Sequence, residues 1–354
     1  MPINSDQVQP FCSHYEQCGG CSLQHLSEAS YRGLKVTRLK QVLAGAGIET
    51  TILPLESAPQ ASRRRTTLVA RKLKSGQLAL GYHPVQSHEV TDISTCPILV
   101  EPLQGFIPQL RLILEQVDFK QADLALTYVD EGVDLQWLGK LSNSQKAELV
   151  RLIEAQPLVL RVSCQEEVLF ERQSPKTSIS GVNVHLPVGA FLQASFEGEQ
   201  ILQRAVTGLC KGTSVADLFC GLGTFSIPLA QQGKQVVAVD TATESLKALR
   251  AAGQHLALRV MERDLFKQPL DKDALHSFET VIIDPPRAGA KAQCNMLSQS
   301  QVQQIIYVSC NPQTFAQDAQ ALLAGGYQLH SVLPVDQFVW SNHLEIVADF
   351  RRNL

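Results

Sequence analysis

The sequence lacks a long hydrophobic run, and this absence argues against a membrane-spanning helix. No stretch approaches the roughly 18 apolar residues that a membrane-spanning helix needs. The first thirteen residues are polar and lack the apolar core of a signal peptide. We therefore expect a cytoplasmic protein, and in that compartment the nine cysteines are poor candidates for disulfides.

The chain has little excess charge of either sign. Its formal net charge is −3, which argues against non-specific coating of nucleic acid but leaves room for local patches. It also lacks internal repeats, low-complexity tracts and an obvious linker rich in proline, glycine or serine. With 354 residues, of which 44% are hydrophobic, it is long enough for one large globular domain and a smaller one, and we expect a monomer.

One local basic patch lies between residues 63 and 74 and contains no acidic residue. Such a patch is typical of a solvated edge strand that charge protects from pairing. It is also typical of a surface that contacts a phosphate backbone. Both interpretations stay open, and the six basic residues are Arg63, Arg64, Arg65, Arg71, Lys72 and Lys74.

The chain divides into three stretches of different pattern. Residues 1–50 hold a cysteine-rich opening and a predicted helix over 31–43. Residues 51–185 are predicted to be β-rich, with a hairpin that turns at 74–77. Residues 186–354 alternate short apolar runs with helical patterns, which predicts an α/β domain with a doubly wound parallel sheet. The runs predicted as strands are 215–220, 235–240, 258–261, 280–284, 305–309, a weak one at 328–332, and 344–350.

A turn with two glycines follows the first predicted strand of that sheet. Gly221 and Gly223 separate the strand from a helix, so the backbone can approach a bound nucleoside closely. A dinucleotide-binding fingerprint would want a third glycine or an alanine where this chain has Ser226. The turn therefore favours a nucleoside ligand over a pyrophosphate.

Acidic residues lie at the ends of the next predicted strands. Asp240 can accept hydrogen bonds from both ribose hydroxyls, and Asp264 can contact an adenine amino group. Either carboxylate alone is more often a helix cap or a turn residue, but several along one carboxyl edge indicate a ligand site. Asp284 begins an Asp-Pro-Pro-Arg loop whose two prolines restrict the backbone, so we expect its carboxylate to be held rigidly near the site of group transfer. S-adenosylmethionine fits this set best.

Two further residues suit the methylation of a pyrimidine. C5 of uracil is a poor nucleophile, but a thiolate that adds to C6 makes C5 able to accept a methyl group. A carboxylate must then remove the C5 proton before the thiolate can leave. Cys310 follows one predicted strand, and Glu345 begins the last, which in a methyltransferase-type sheet runs antiparallel beside it. The ordinary alternatives are a small buried thiol and an exposed edge residue.

The motifs occur in the order found in a known family, and in them the sequence resembles the bacterial RNA uracil-C5 methyltransferases, which form 5-methyluridine in ribosomal and transfer RNA. The resemblance spans most of the chain and implies the class I methyltransferase fold. It implies an RNA substrate, with 23S ribosomal RNA favoured over transfer RNA. The motifs are Phe191-Leu192-Gln193, Asp217-Leu218-Phe219-Cys220-Gly221-Leu222-Gly223, Asp284-Pro285-Pro286-Arg287, Ser309-Cys310-Asn311-Pro312 and His343-Leu344-Glu345.

The resemblance also implies roles for single residues. Cys310 would be the nucleophile and Glu345 the proton acceptor. Two positions depart from the family's usual pattern: Ser195 replaces an asparagine, which bears on the positioning of Gln193, and Asp240 replaces a glutamate, which shortens the ribose contact. The residues expected to contact the cofactor or position the base are Gln193, Phe219, Gly221, Gly223, Thr224, Asp240, Asp264 and Asp284.

The amino-terminal cysteines form a separate pattern. Cys12, Cys18 and Cys21 have a C-x5-C-x2-C spacing, and Cys96 precedes a proline farther along the chain. Four thiolates can hold an iron–sulfur cluster or a tetrahedral zinc ion, whereas the usual radical-enzyme run has a shorter first gap. Ribosomal-RNA members of the resembled family carry a [4Fe–4S] cluster on a matching pattern. The resemblance therefore implies an iron–sulfur segment at the amino terminus, with zinc as the alternative.

Two alternative functions remain open. An amino-group methyltransferase that acts on adenine or glutamine also uses an Asp/Asn-Pro-Pro loop but needs no thiol. An RNA-binding metal-cluster protein could carry a vestigial methyltransferase half. Some ribosomal members add a small β-barrel ahead of the cysteines, and none is expected here. We therefore expect the other domains to select the RNA, with the basic patch as the backbone contact.

Overall fold

The structure is a computed structural model that describes residues 6–85, 87–129 and 131–352. Within that part of the chain, no helix combines the length and the apolar character needed to cross a lipid bilayer. The helices are α1 (Glu28–Gly45), α2 (Glu101–Gln116), α3 (Asn143–Ile153), α4 (Phe196–Leu209), α5 (Ser226–Gln231), α6 (Thr243–Ala252), α7 (Lys272–Leu275), α8 (Lys291–Ser298) and α9 (Pro312–Ala324).

The strands form a large sheet, a smaller sheet and a separate hairpin. Their order along the chain follows the predicted change from a β-rich region to an alternation of strands and helices. The strands are β1 (Thr51–Ile52), β2 (Glu56–Ser57), β3 (Arg65–Lys72), β4 (Leu78–Tyr82), β5 (Thr91–Asp92), β6 (Gln121–Val129), β7 (Gly132–Trp137), β8 (Val159–Cys164), β9 (Glu167–Glu171), β10 (Lys176–Ile179), β11 (Val182–His185), β12 (Ser214–Leu218), β13 (Gln235–Asp240), β14 (Leu258–Glu262), β15 (Thr280–Ile283), β16 (Gln304–Ser309), β17 (Tyr327–Asp336) and β18 (Glu345–Arg352).

The large sheet is the predicted doubly wound one. Its strand order is β1-β17-β18-β16-β15-β12-β13-β14, and β2 also pairs with β17. The strands from β12 to β16 pair in parallel, whereas β18 runs antiparallel between β16 and β17. The predicted position of the last strand beside β16 is therefore confirmed.

The apolar runs form this sheet because both of its faces are buried. In β16, Ile305 and Tyr307 belong to one hydrophobic cluster, and Ile306 and Val308 belong to another on the opposite face. This alternation is what a pleated strand produces when helices cover both sides. The first cluster includes side chains of α1, α8 and α9, and the second includes side chains of α4 and α5.

The domain boundaries differ from those expected at residues 50 and 185. Helix α1 packs into the same cluster as the large sheet through Leu39 and Leu43, and β1 and β2 pair with β17. The hairpin β10–β11 packs against α6. The large unit therefore gains segments from before and after the smaller sheet, because their apolar side chains complete its core.

The smaller sheet has the order β5-β4-β3-β6-β7-β8-β9 and contains the predicted hairpin as β3 and β4. All neighbouring strands pair antiparallel except β7 and β8, which are parallel and are connected through α3. Its core includes Trp137, Phe106 and Cys96. This region supplies one wall of the candidate site.

Candidate active site

The candidate nucleophile lies in a short connection between a central strand and a helix. Strand β16 ends at Ser309, and Asn311 caps helix α9, which begins at Pro312. The Asn311 side chain accepts a hydrogen bond from the N–H of Gln313 at 3.1 Å, which satisfies one of the free N–H groups of the first turn. Half-buried Cys310 is the single residue between strand and cap. The Ser-Cys-Asn-Pro sequence therefore places a thiol at the carboxyl edge of the sheet.

Glu345 lies beside Cys310 in the large sheet. Strands β16 and β18 pair with Ser309 opposite Ile346, so Cys310 and Glu345 are the next residues outward along the two strands. Glu345 is 5% exposed. The predicted adjacency of thiol and carboxyl therefore follows from the antiparallel register.

The surroundings shift the pKa of both groups. Burial raises the pKa of Glu345 to about 7, and a hydrogen bond from Gln337 and the charge of Arg287 oppose this effect. Burial, and then the carboxylates of Glu345 and Asp284, raise the pKa of Cys310 to about 11 against the influence of Arg287. At neutral pH Glu345 is therefore near its titration midpoint, which suits proton transfer. The resting thiol is protonated, and a nearby cation would favour its ionisation.

The Asp-Pro-Pro-Arg loop is tied to the neighbouring loops of the sheet edge. The N–H of Asp284 donates to the carbonyl of Leu218 at 3.2 Å. The carbonyl of Arg287 accepts from Nδ2 of Asn311 at 3.2 Å. These contacts fix the loop between the glycine turn and the residue that follows Cys310.

Four carboxyl groups collect at this edge. Burial raises the pKa of Asp284 well above its usual range, and Glu345, Asp217 and Asp240 raise it further. Burial raises the pKa of Asp217 to about 7, and its Oδ1 has no hydrogen-bond partner among the residues that the structure describes. A cationic ligand would relieve the repulsion and favour the ionised carboxylates.

The two glycines of the glycine turn, Gly221 and Gly223, have different roles. Phe219 and Gly221 have positive φ angles of 64° and 53°, and the N–H of Gly221 donates to Oδ2 of Asp240 at 2.9 Å. Gly223 has a φ of 89°, and a Cβ there would lie 2.4 Å from Cδ1 of Leu249. Gly223 therefore allows α6 to pack closely, which differs from its expected role in approaching a ligand.

A cavity of about 720 Å³, here named the edge cavity, opens along the carboxyl ends of the strands. It is lined by both catalytic candidates and by six of the eight residues expected at the cofactor. Gly223 and Thr224 are not among its lining residues. The six are Gln193, Phe219, Gly221, Asp240, Asp264 and Asp284.

Two of these carboxylates also hold the local backbone. Oδ1 of Asp240 accepts from the N–H groups of Thr241 at 2.6 Å and Ala242 at 2.9 Å. Oδ1 of Asp264 accepts from the N–H of Phe266 at 3.1 Å. The turn-residue interpretation is therefore correct for both, and it coexists with their position in the cavity wall.

A second cavity, of about 520 Å³, also reaches Cys310 and is here named the cysteine cavity. The two cavities share Phe191, Arg287, Cys310 and Glu345 in their linings. The candidate nucleophile and the candidate base therefore lie where the two cavities meet. A ligand in either cavity can reach them.

The four cysteines predicted as metal ligands all line the cysteine cavity. Burial raises the pKa of Cys21 to about 11, and the thiols of Cys96, Cys18 and Cys12 raise it further, so the four sulfurs lie near one another. However, no group of three or more His, Cys, Asp or Glu within the described ranges is arranged to hold a metal ion. The four thiols line one cavity, and metal coordination by them is not shown.

One residue of the basic patch is not at the surface. Arg64 is 5% exposed, its guanidinium pairs with Glu199 at 2.7 Å, and its Nε donates to the carbonyl of Gln193 at 3.1 Å. A buried guanidinium with two such partners cannot also contact a phosphate backbone. The expectation that Arg64 binds RNA is therefore wrong, and this residue instead anchors the Phe-Leu-Gln segment.

The other five basic residues do not form one continuous face, because side chains alternate along β3. Arg63 lines the cysteine cavity, with its guanidinium 5.9 Å from the centre of the Phe338 ring. Arg65 lies 5.0 Å from the centre of the exposed Phe191 ring. These two remain candidates near the site, while the more distant candidates at the other end of the hairpin are Arg71, Lys72 and Lys74.

Sequence reasoning missed Gln337, which directly contacts the candidate base. Nε2 of Gln337 donates to Oε1 of Gln193 at 2.7 Å and to Oε1 of Glu345 at 3.0 Å. Its own Oε1 accepts from the N–H of Ala194 at 3.1 Å. It directly follows β17 in the structure, but the sequence predicted that strand only over 328–332, so no signal in the sequence marked this residue.

It also missed Phe266, a large exposed aromatic residue in the wall of the edge cavity. Its ring lies 5.4 Å from the ring of Phe219, centre to centre. Two rings at the mouth of a nucleoside-sized cavity can stack against a planar group. Its position two residues after Asp264 was the available signal.

A buried lysine holds the connection between β17 and β18. Nζ of Lys35 donates to Oδ1 of Asp336 at 2.5 Å and to the carbonyls of His343 at 2.8 Å and Phe338 at 3.3 Å. Tyr31 donates its hydroxyl to the other oxygen of Asp336. Helix α1 therefore fixes the segment that leads from Gln337 into Glu345.

The same connection contacts the cysteine segment. The carbonyl of Trp340 accepts from the N–H groups of Ser22 at 3.0 Å and Leu23 at 3.1 Å. The Trp340 ring stacks on Tyr31 with 4.6 Å between ring centres. The residues next to Cys21 are thus linked to the loop of the candidate base.

Comparisons with known proteins identify RNA methyltransferases as relatives of this chain. A family profile described as tRNA (Uracil-5-)-methyltransferase matches residues 190–351. An uncharacterized RNA methyltransferase of Brucella suis is 37% identical over 357 residues, which covers 98% of this chain and 85% of the relative. A 23S rRNA (uracil(1939)-C(5))-methyltransferase of Aeromonas hydrophila is 32% identical over 370 residues, which covers 98% of this chain and 83% of the relative.

A solved structure gives the corresponding result for the fold. The tRNA (uracil-54, C5)-methyltransferase of Pyrococcus abyssi, in complex with S-adenosyl-L-homocysteine, superposes with a TM-score of 0.79. The match covers 98% of this chain and 86% of that one at 23% sequence identity. It confirms the predicted methyltransferase fold, whereas an iron–sulfur cluster at the cysteine segment is not shown by it.

Proposed function

The chain belongs to the RNA uracil-C5 methyltransferase family, and on that premise we propose that it methylates C5 of a uracil through a covalent bond between Cys310 and C6. Glu345 is the proton acceptor. One observation carries the proposal: the thiol and the buried carboxyl lie together where the edge cavity and the cysteine cavity meet. A methyl donor in the first cavity and a base in the second would both reach them.

The electrons balance across the two residues. The Cys310 thiol loses its proton to solvent, its sulfur bonds to C6, and the C5–C6 electron pair shifts toward C5. C5 then bonds to the methyl carbon, and a methyl donor would keep the electron pair of the bond that breaks. Glu345 then removes the remaining proton from C5, the C5–C6 double bond re-forms, and the C6–S bond breaks to return the thiolate. The product is 5-methyluracil, and the proton passes from Glu345 to solvent.

The edge cavity suits S-adenosylmethionine. When bound, this cofactor supplies a methyl group on a positively charged sulfur. The carboxyls of Asp284 and Glu345 face the same cavity and would be drawn into their ionised forms by that charge. Phe219 and Phe266 provide aromatic surface for the adenine, and Asp240 and Gly221 provide polar groups for the ribose. Transfer of the methyl group would remove the positive charge from the cofactor sulfur, and this loss would favour release of the demethylated cofactor.

The cysteine cavity suits the target nucleotide. A base must leave its stack to reach Cys310, and single-stranded RNA segments bind by stacking on aromatic rings and by contact with basic side chains. Phe191 and Phe338 offer rings, each with an arginine nearby, Arg65 and Arg63 respectively. We propose 23S ribosomal RNA as the substrate because the relative named for that RNA covers nearly the whole chain. Transfer RNA is the alternative, since the matching profile carries that description.

We also propose that Cys12, Cys18, Cys21 and Cys96 hold a [4Fe–4S] cluster. The donor chemistry fits, because four thiols line one cavity and are electrostatically coupled, and a cluster is bound by four such thiolates. The cluster would serve as a crosslink between the amino-terminal segment and the smaller sheet. Zinc is the alternative occupant.

The catalytic proposal is tested with RNA from cells that lack this gene. Purified protein should methylate that RNA, and mapping of 5-methyluridine identifies whether 23S ribosomal or transfer RNA is modified. Cys310→Ala should abolish methylation and Cys210→Ala, a buried thiol outside both cavities, should not. RNA with 5-fluorouridine should form a denaturation-resistant adduct at Cys310, because Glu345 cannot remove fluorine. Methylation that survives Cys310→Ala would instead select an amino-group methyltransferase, and absence of both cofactor binding and methylation would select an RNA-binding protein with a vestigial half.

The metal proposal has its own test. Anaerobically purified protein should be brown and contain iron and sulfide, and Cys18→Ser or Cys21→Ser should remove both. Cys294→Ser, at a buried thiol of α8, is the control that should keep the colour. Colourless protein with stoichiometric zinc would refute the iron assignment.

A further inference from the structure

The amide of Gln337 has a defined orientation in the site. The backbone N–H of Ala194 can only donate, so the atom that faces it at 3.1 Å must be the amide oxygen of Gln337. The NH₂ group of Gln337 therefore faces Gln193 and Glu345, at 2.7 and 3.0 Å. Gln337 is 2% exposed, so solvent cannot substitute for these partners.

This orientation determines that of Gln193. Because Gln337 donates to it, the atom of Gln193 that faces Gln337 is the oxygen Oε1. The NH₂ group of Gln193 then points away from Gln337, and it has no hydrogen-bond partner within the described ranges. Gln193 lines the edge cavity together with Cys310 and Glu345. The cavity is therefore offered N–H donors and not a carbonyl oxygen.

Gln337 packs closely against Gly198 of α4. A Cβ on that glycine would lie 2.6 Å from Cβ of Gln337, so the absence of a side chain there leaves room for Gln337. Ser195 caps the same helix by accepting the N–H of Gly198 at 3.0 Å. Ser195, which replaces the asparagine usual in the family, is therefore the cap of a helix that packs against Gln337.

We propose that Gln337 is a positioning residue that sets the hydrogen-bonding polarity of the site. It turns the N–H groups of Gln193 into the edge cavity, which Cys310 and Glu345 also line at its junction with the cysteine cavity. A uracil bonded to Cys310 would present its C4 carbonyl at this junction, where the N–H groups match that carbonyl and oppose the C4 amino group of cytosine. It also donates to Glu345, which holds that carboxyl in place and favours its ionised form. The inference rests on the proposed function, because it assigns Glu345 as the base.

Two variants separate these contributions. Gln337→Met keeps the side-chain length and removes every hydrogen bond. Gln337→Glu keeps the length and the bond from Ala194, but when ionised it cannot donate to Gln193 or Glu345. Gln203→Met is the matched control, because Gln203 is a glutamine of α4 that is 8% exposed and lies outside both cavities. Thermal unfolding of all variants verifies that they fold.

The first measurement is a single turnover with unmodified RNA, followed by denaturing electrophoresis. Both Gln337 variants should accumulate the methylated Cys310 adduct, because proton removal from C5 slows by about tenfold or more. The second measurement is the ratio of RNA affinities for uridine and cytidine at the target position. This preference should fall about tenfold in Gln337→Met. Gln203→Met should match the unmodified protein in both.

The third measurement is the pH dependence of product release. The charged or titratable groups that face Glu345 are Arg287, Asp284 and Cys310, with His343 two residues earlier. Loss of the hydrogen bond from Gln337 destabilises the Glu345 carboxylate and raises the pKa of that group. The ascending limb of the plot of release rate against pH should therefore move to higher pH in both variants. A residue with only a structural role would lower the rate without moving this limb.

The Glu345→Gln variant distinguishes failure of the Gln337 inference from failure of the proposed function. If Glu345→Gln traps the adduct while the Gln337 variants retain normal adduct levels, normal pH dependence and normal uridine preference, only the role of Gln337 is overturned. If the Glu345→Gln variant methylates RNA at the normal rate, Glu345 is not the proton acceptor and the proposed function is overturned. Should Gln337→Met fail to fold, Gly198→Ala displaces Gln337 without changing its amide, and normal behaviour of that variant would overturn the inference.

Discussion

The edge cavity and the cysteine cavity meet at Cys310 but are built in different ways. The edge cavity takes most of its walls from the ends of neighbouring strands of one sheet and from the loops that follow them, together with the segment before α4 that contains Phe191 and Gln193. The cysteine cavity combines the amino-terminal segment, the start of β3, the region near Cys96 and the β17–β18 connection. The first depends on local sheet geometry, whereas the second depends on contacts between distant segments. Damage to one should therefore leave the other largely intact.

The largest effect is expected from Lys35, which supports the β17–β18 connection in the wall of the cysteine cavity. Lys35→Met should lower the free energy of unfolding by about 3–5 kcal/mol, because it leaves the carboxylate of Asp336 buried without its cation. Urea titration measures this change. Lys146→Met is the control, since its partner Glu167 is largely exposed and the loss should stay below about 1 kcal/mol. Equal losses in the two variants would contradict the importance of the buried pair.

Asp284 offers the complementary change in the edge cavity. Asp284→Asn should weaken S-adenosylmethionine binding about tenfold to a hundredfold, because a carboxylate partner of the cation is lost. S-adenosylhomocysteine, which lacks the charge, should lose less. Calorimetry with both ligands measures the difference, with Asp273→Asn at the surface helix α7 as the control. Equal weakening of both ligands would show that the carboxylate acts by shape and not by charge.

The reactivity of Cys310 should report the electrostatics of the junction. Its pKa of about 11 reflects burial and then Glu345 and Asp284, so alkylation should be slow at pH 7 and accelerate as the pH rises toward 11. Glu345→Gln removes one negative charge and should speed alkylation several-fold at pH 9, where the pKa of about 7 leaves Glu345 ionised. Peptide mass spectrometry at Cys310 measures the rate. A rate unaffected by Glu345→Gln would contradict the coupling.

The smallest effect is expected at the rim of the cysteine cavity. Arg63→Ala should weaken RNA binding a few-fold and reduce the slope of log affinity against log salt by about 0.7–0.9, the contribution of one phosphate contact. Filter binding at several salt concentrations measures both. Arg151→Ala, at an exposed arginine of α3 that pairs with Glu148, should change neither. An unchanged slope in Arg63→Ala would exclude that arginine as a backbone contact.

The comparison also explains how far the sequence alone could go. The edge cavity was predictable because acidic residues end or closely follow several of the apolar runs, and parallel strands bring such ends together. Asp240, Asp264 and Asp284 were therefore identified as neighbours from strand order alone. Gly223 was misassigned because a positive φ serves helix packing as readily as ligand approach.

The cysteine cavity was less predictable because its parts come from separate regions. The spacing of the cysteines identified a set, but nothing in the sequence placed that set in the same cavity as Cys310. Gln337 has no pattern of its own, and its role depends on Gly198 making room for it. Arg64 was misassigned because a run of arginines does not reveal which member pairs with a distant glutamate.

Two elements illustrate the same limit in the fold. Helix α2 was not predicted, because proline is unfavourable inside a helix and this segment contains Pro102 and Pro108. The helix forms with its apolar face buried. The weak run at 328–332 became the ten-residue strand β17, because β18 on one side and β1 and β2 on the other supply its hydrogen bonds. Long-range pairing can therefore stabilise a strand that local sequence favours only weakly.

That pairing has a consequence for how the chain reaches its native state. Thr51 lies opposite Ser331, so the rim of the large sheet joins two segments that are far apart in the sequence. Closure of such distant pairs is slow because the loop entropy must be lost before the contacts form. Until then β17 would expose unpaired backbone groups to other chains, which makes a nascent or truncated polypeptide prone to aggregation.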